Sequence, residues 1–151
     1  MSVPDHGKDV KVPVEHIASN RAIETLSAAG AHRGSMVGLA VGADDSIGLA
    51  IGDRAFAVAG NGAMQLVGEL DRGIRPRWVL WSNATAVTLV ACDIRLATCW
   101  DLAAVHRLLF GGWSANHVQV WAAMRGLDER GAPMLGQLDL LSGDDGDDGD
   151  A

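Results

Sequence analysis

Tyrosine is absent from this 151-residue chain, cysteine and phenylalanine occur twice each, and proline four times. Without tyrosine, no motif built on a phenolic hydroxyl can operate. Two cysteines, Cys92 and Cys99, are too few for the disulfide framework of a small secreted protein. Neither C-x-x-C nor H-x-x-x-H occurs, and a structural zinc site needs four ligands at close spacing. Both cysteines are therefore expected as small buried side chains in a reducing compartment. No apolar run approaches the roughly 18 residues of a membrane span, and the opening MSVPDHGKDVK is polar rather than a signal peptide. A cytoplasmic chain with no membrane partner is the expectation.

Positive charge is scarce as well. Lysine and arginine number 12 against 19 acids, a formal net charge of −7. Five of the acids (Asp144, Asp145, Asp147, Asp148 and Asp150) crowd into the last eight residues; without them residues 1–142 carry only −2. A nearly neutral body lacks the strongly basic face of a self-sufficient nucleic-acid binder. The Gly/Asp tail cannot bury enough apolar surface to order itself and reads as a solvated linker. It also lacks the Glu and the spacing of an EF-hand loop.

What is present is apolar: 48% of the residues, enough for one domain with a core that needs neither metal nor disulfide. The most informative stretch is RPRWVLWSNATAVTLVACDIRLATCWDLAAVHRLLF, Arg75–Phe110. Arg77–Ser82 is a short apolar run of the buried-strand kind. Ser82 and Asn83 cap a helix that ends near Asp93, and Leu96–Trp100 predicts a second strand. Asp101 caps a further helix with Leu102, Val105, Leu108 and Leu109 on one face, closed by Gly111-Gly112. Strand, helix and strand with short links make a right-handed βαβ unit.

Upstream, residues 1–12 read as a flexible lead-in, and Val12–Val14 as a short strand. Ser19 or Asn20 caps a helix through Ala22, Ile23, Leu26 and Ala29, stopped by Gly30. Met36–Val41 and Ile47–Ile51 form a hairpin across a Gly/Asp/Ser turn, with Ala55–Val58 as a third strand. A helix follows over Ala63–Asp71, carrying Met64, Val67 and Leu70 inward. Ser114 or Asn116 caps a last one, with Val118, Trp121 and Met124 inward, ending at Gly126. Three antiparallel strands followed by two parallel ones, with flanking helices, is the element order of an α/β ribonuclease-H-like mixed sheet of the exonuclease-like type. The domain limits read as an N-terminal extension with a helix over 1–34, the α/β domain over 35–127, and the acidic tail over 128–151.

The segment RPRWVLWSNATAVTLVACDIRLATCWDLAAVHRLLFGGW, with VWAAMRGL after it, resembles the N-terminal exonuclease-like domain of family A DNA polymerases, those related to DNA polymerase I. The likeness is best to the actinobacterial proteins described as bifunctional 3′–5′ exonuclease/DNA polymerases; it is good over Arg75–Leu127 and fair back to Met36. It implies a proofreading fold in which carboxylates hold two divalent ions about 4 Å apart. In active members these acids come from a D-x-E on the first strand, an Asp four residues after a junction Asn, and a Y-x-x-x-D on a late helix. Here the first strand is MVGLAV, Asn83 matches the junction Asn, Val87 stands at the acid position, and no tyrosine exists for the third motif. The resemblance thus implies a degenerate, catalytically inactive domain with no catalytic residue, no metal site and no cofactor. It points to a structural or binding role in DNA replication or repair, in a chain that reads as a truncated product lacking the polymerase domain. Mg²⁺ or Mn²⁺ enters only under the alternative of a working nuclease that uses relocated acids such as Asp44, Asp45, Asp53 and Asp101. A second alternative is a protein-interaction module docking through Trp113–Leu127. The partners implied are DNA, held weakly, or a polymerase or other replication or repair protein.

Plainer readings stand beside these. Asn83 matches the family's substrate-side Asn but serves equally as a helix cap, as does Asp101. Arg75 and Arg77, with Arg72, could grip a phosphate backbone or simply form a solvated link. Asn83, Arg75 and Arg77 are the candidate nucleic-acid-binding residues. Gly60-Asn61-Gly62 lacks the Lys-Ser/Thr of a phosphate loop and reads as a turn. His106 reads as a boundary histidine, and Ser35, Ser46 and Ser82 lack a nucleophile setting. The five tryptophans are expected to pack in the core or at an interface rather than to stack bases.

Overall fold

Short runs of branched and small residues separated by Gly/Asp turns commit the first half of the chain to a sheet. The structure, a computed structural model, describes residues 12–113 and 115–128. The chain divides into two units, one running through Val105 and the other beginning at His106.

The first unit holds a six-stranded sheet. Its strands are β1 (Val14–His16), β2 (Met36–Val41), β3 (Ile47–Ile51), β4 (Arg54–Val58), β5 (Arg77–Leu80) and β6 (Cys99–Asp101), in the spatial order β1-β4-β3-β2-β5-β6. β2, β3 and β4 are antiparallel neighbours, while β5 runs parallel to β2, β6 to β5, and β1 to β4. The expected meander with two parallel additions is therefore present, extended at its far edge by β1. The segment expected as an N-terminal extension contributes that edge strand, and its helix supplies Ala22 and Leu26 to the same core as the sheet.

Between β2 and β3 the chain turns through Gly42–Ser46. The Gly42 amide donates to the Ser46 carbonyl and the Asp45 amide to the Gly42 carbonyl. Asp45 takes φ 60°, a left-handed conformation that Asp tolerates better than most side chains. Asp44 accepts from both the amide and the hydroxyl of Ser46. Those two hydrogen bonds, the hydroxyl first, hold its carboxyl below the usual value.

Three helices join parallel strands: α1 (Ala22–Ala28) lies between β1 and β2, α2 (Ala63–Gly73) between β4 and β5, and α3 (Asn83–Ala91) between β5 and β6. Each of these connections moves across the sheet in the same sense. Right-handed crossovers moving in one sense place their helices on one face. Strand alternation sends Val37, Leu39, Ile47, Leu49, Phe56, Val58, Trp78 and Leu80 to that face, where Leu26, Met64, Val67, Leu70 and Leu89 meet them in one buried cluster. The opposite face carries Gly38, Ala40, Gly48, Ala50, Ala55, Ala57 and Val79, none of them fully buried. There they line a shallow depression of about 420 Å³.

One buried polar group braces the core. Asp71, at the end of α2, is 7% exposed. It accepts the indole N–H of fully buried Trp78 at 2.9 Å and the Ala97 amide at 3.3 Å. The strand predicted over Leu96–Trp100 begins only at Cys99, with the Thr98 carbonyl before it accepting the Trp78 amide at 3.1 Å.

Other expectations are corrected. Cys92 and Cys99 are free and exposed rather than buried, one at the C-cap of α3 and the other on edge strand β6. The short strand expected at Val12–Val14 is Val14–His16. Trp78 is a core residue, but Trp100, Trp113 and Trp121 are exposed, Trp113 completely. In α4 (Leu102–Phe110) the Ala103 amide donates to the Trp81 carbonyl, which sets the phase of the helix at its first turn. Ala103 and His106 are consequently the buried positions, while Leu108 and Leu109, predicted on the inner stripe, are 85% and 71% exposed. His106 is thus buried and not a boundary residue, its ring 4.8 Å from that of Phe110.

The second unit contains α5 (His117–Arg125), opened by a complete capping box. The Asn116 side chain accepts from the Gln119 amide at 2.9 Å, and Gln119 accepts from the Asn116 amide at 3.0 Å. The inward residues are Val120 and Ala122; Trp121 and Met124, expected inward, face out, and the Arg125 guanidinium lies 5.4 Å from the Trp121 ring centroid. Replacing Asn116 by alanine is expected to remove about 1 kcal/mol of helix stability. Amide exchange at Val120–Ala123 should then accelerate about fivefold relative to the parent chain, and unchanged protection would show that the cap is idle. The acidic tail and the lead-in, apart from residues 12 and 128, lie outside the described residues.

Candidate functional site

In open sheets with parallel strands, ligands gather beyond the carboxyl ends of the strands, where neighbouring connections leave in different directions. Here that place lies beyond β2, β5 and β6. β2 leads into the Gly42–Ser46 turn, β5 into α3, and β6 into α4. Four polar candidates lie on the connections at that end: Asp44, Asp45, Asn83 and Asp101.

Each is accounted for by local structure. Asp44 is engaged by Ser46. Asp45 is exposed at the tip of the turn. Asp101 accepts the Ala104 amide at 2.9 Å and so caps α4. At the head of α3 the cap is Ser82, whose hydroxyl accepts the Ala84 amide, and Asn83 is the first helical residue with its side chain exposed. One turn further on, Val87 is 65% exposed. β2 carries no acid along its length: Leu39 and Val37 point into the core while Gly38 and Ala40 lie on the open face. Among the described residues no group of three or more His, Cys, Asp or Glu side chains converges as metal ligands.

The other named candidates lie at the opposite end of the sheet. Asp53 sits in the turn from β3 to β4, at the end where β2 and β5 begin, and so cannot join Asp44, Asp45 and Asp101 in one cage. Arg77 starts β5 and Arg75 precedes it. Six residues of near-extended chain, roughly 20 Å, separate Arg77 from Asn83, so the three candidate nucleic-acid-binding residues do not form one site.

At that opposite end two further segments, which sequence spacing did not connect to it, join the Arg72–Arg77 link. The Gly34 amide donates to the Arg75 carbonyl at 2.9 Å and the Arg77 amide to the Ser35 carbonyl at 2.8 Å. These bonds bring the loop bearing Arg33 against the segment bearing Arg75 and Arg77. The guanidinium of Arg72 and the side chain of Ile94 both lie beside Gly68, and Arg95 follows Ile94 in the chain. Arg33, Arg72, Arg75, Arg77 and Arg95 are all exposed. Arg54 on β4 pairs with Glu15 on β1 at 2.9 Å.

Among the described residues no helix is long and apolar enough to cross a membrane. No family model, curated protein or solved structure matches the chain.

Proposed function

We propose that this chain is a catalytically inactive 3′–5′ exonuclease-like domain of ribonuclease-H-like type, similar to the one that family A DNA polymerases carry, with a structural or docking role in replication or repair in the cytoplasm. The observation that carries the reading is the pairing of that sheet order with the loss of the acids the reaction needs. Support for the reading comes from strands β4-β3-β2-β5-β6, the first three antiparallel and the last two parallel to β2. At the end where the reaction would occur, the strand that should carry the acid pair is MVGLAV, and exposed Val87 stands at the position of the junction acid. Two-metal hydrolysis without carboxylates at these places has nothing to neutralise the ions or to orient the water.

The test is a gel assay on 5′-labelled single-stranded and 3′-recessed DNA with Mg²⁺ or Mn²⁺ and an EDTA control. No shortening above the control is expected. Metal-dependent shortening that disappears in Asp44→Ala or Asp101→Ala would replace the inactive reading with a nuclease using relocated acids.

A second reading, a protein-interaction module, is favoured by the apolar surface of the second unit. Leu108, Leu109, Phe110, Trp113, Trp121 and Met124 are each more than half exposed. Fully exposed Trp113 alone presents about 200 Å², and patches of several hundred Å² on a soluble protein mark contact surfaces. The partner that fits is a polymerase domain of the kind that follows such a domain in longer family members.

A further inference from the structure

Arg75 is the unusual residue of the arginine cluster. It follows the C-cap of α2 and takes φ 54°, the left-handed position after a helix that glycine normally fills. A side chain with a Cβ is strained there, and arginine has none of the local hydrogen bonding that lets Asn or Asp tolerate it. The chain nevertheless places a long cation at this point, and four more exposed arginines stand on segments that reach the same end of the sheet. All five are arginines, whose planar forks match phosphate oxygens in pairs where a lysine offers a point charge.

We propose that Arg33, Arg72, Arg75, Arg77 and Arg95, at the end of the sheet where β2, β5 and β6 begin, form a surface for the phosphate backbone of nucleic acid. The surface stands at the opposite end of the sheet from Asn83 and from the place where an exonuclease would work. Binding there needs no metal and reads no sequence, because contacts to phosphate carry no base information. The proposal does not rest on the exonuclease-like reading; a chain of any descent with this surface would bind in the same way.

A plainer account competes with it. Helices α1, α2 and α3 all end at this edge, and cations near helix C-termini offset the partial negative charge there. Asp53, Glu69 and Asp93 also lie in elements that reach this end and dilute the field, while Asp71 is buried and turned to Trp78. The two accounts part at Arg75. If its charge only serves the fold, Arg75→Gly exchanges a favourable charge for relief of strain and leaves any DNA affinity where it was. If its charge serves a ligand, the same change leaves the fold as stable or more stable and weakens binding.

The experiment is fluorescence anisotropy of the full chain with labelled 20-nucleotide single-stranded and 20-base-pair DNA, between 20 and 150 mM salt in EDTA, with urea unfolding of every variant. The parent chain is expected to bind at low salt and to weaken steeply as salt rises. Arg75→Gly should weaken binding several-fold without loss of stability. The Arg33→Gln/Arg77→Gln variant should weaken it further and reduce the slope of log K against log salt by about 0.7–0.9 for each phosphate no longer neutralised. Asn83→Ala and Arg125→Gln should bind as the parent does. The proposal is overturned by absence of binding at 20 mM salt, by unchanged affinity in both arginine variants, or by an equal loss in Asn83→Ala or Arg125→Gln.

Discussion

Replacing Asp71 by leucine is expected to destabilise the fold by about 2–3 kcal/mol, chiefly through the buried Trp78 indole N–H left without an acceptor, with a smaller share from the partly buried Ala97 amide. The carboxylate sits 7% exposed at the end of α2, 2.9 Å from the Trp78 indole nitrogen and 3.3 Å from the Ala97 amide. Leucine fills similar space but accepts nothing; a buried orphaned donor costs about 1–3 kcal/mol, and the partly buried Ala97 amide costs less because water can reach it. Asp71→Asn keeps one oxygen to face Trp78, so it should lose roughly half as much. Trp78→Phe removes the indole donor and part of the ring from the middle of β5, where Trp78 is fully buried, and should cost about 2–3 kcal/mol. The double change Asp71→Leu/Trp78→Phe should then be clearly less damaging than the sum of the singles, since the same hydrogen bond cannot be lost twice. Urea titration gives these differences as midpoint shifts at constant m. An Asp71→Leu variant within 0.5 kcal/mol of the parent would show that the carboxylate is no brace.

This interaction marks the boundary of what sequence could disclose. β2, β3 and β4 were legible because turn residues and apolar runs are local signals, and α2 because Met64, Val67 and Leu70 recur at helical spacing. Asp71 looked like any polar residue near a helix end; only the tertiary placement of Ala97 and Trp78 distinguishes it. The inner faces of α4 and α5 were misjudged for a related reason. Apolar spacing points to Leu108, Leu109, Trp121 and Met124, whereas the first-turn hydrogen bonds at Asp101, Ala103 and Asn116 fix how each helix starts. The candidate site behaved likewise. Asn83 and Arg77 are close in sequence, yet β5 holds them at opposite ends of the sheet. Arg33 and Arg75 are distant in sequence, yet one backbone hydrogen bond from Gly34 brings their segments together.

Neighbouring residues on β3 should respond in opposite ways to the same charge. Leu49 is 2% exposed and faces the helices, against Leu39 and Phe56 on the adjoining strands; Ala50, the next residue, faces the open side. Leu49→Asp would bury a carboxylate among apolar side chains and is expected to cost at least about 4 kcal/mol. That is most of the stability of a domain of this size, so the variant should be unfolded or molten by circular dichroism at 25 °C. Ala50→Asp places the same group in water, and its cost should stay within about 1 kcal/mol, the span of strand propensity. The contrast follows from topology: the connections β1 to β2, β4 to β5 and β5 to β6 all travel one way across the sheet, so right-handedness leaves the far face without a crossover helix. Parallel strands are seldom left bare on one side, and Gly38, Ala40, Gly48, Ala50, Ala55 and Ala57 are small enough to admit a close neighbour. Should Ala50→Asp prove as disruptive as Leu49→Asp, that face is covered in the folded protein and the one-sided core is wrong. If it is tolerated, the variant becomes the reagent for asking whether the open face serves a partner, since a charge at its centre would block an apolar contact while leaving the fold intact.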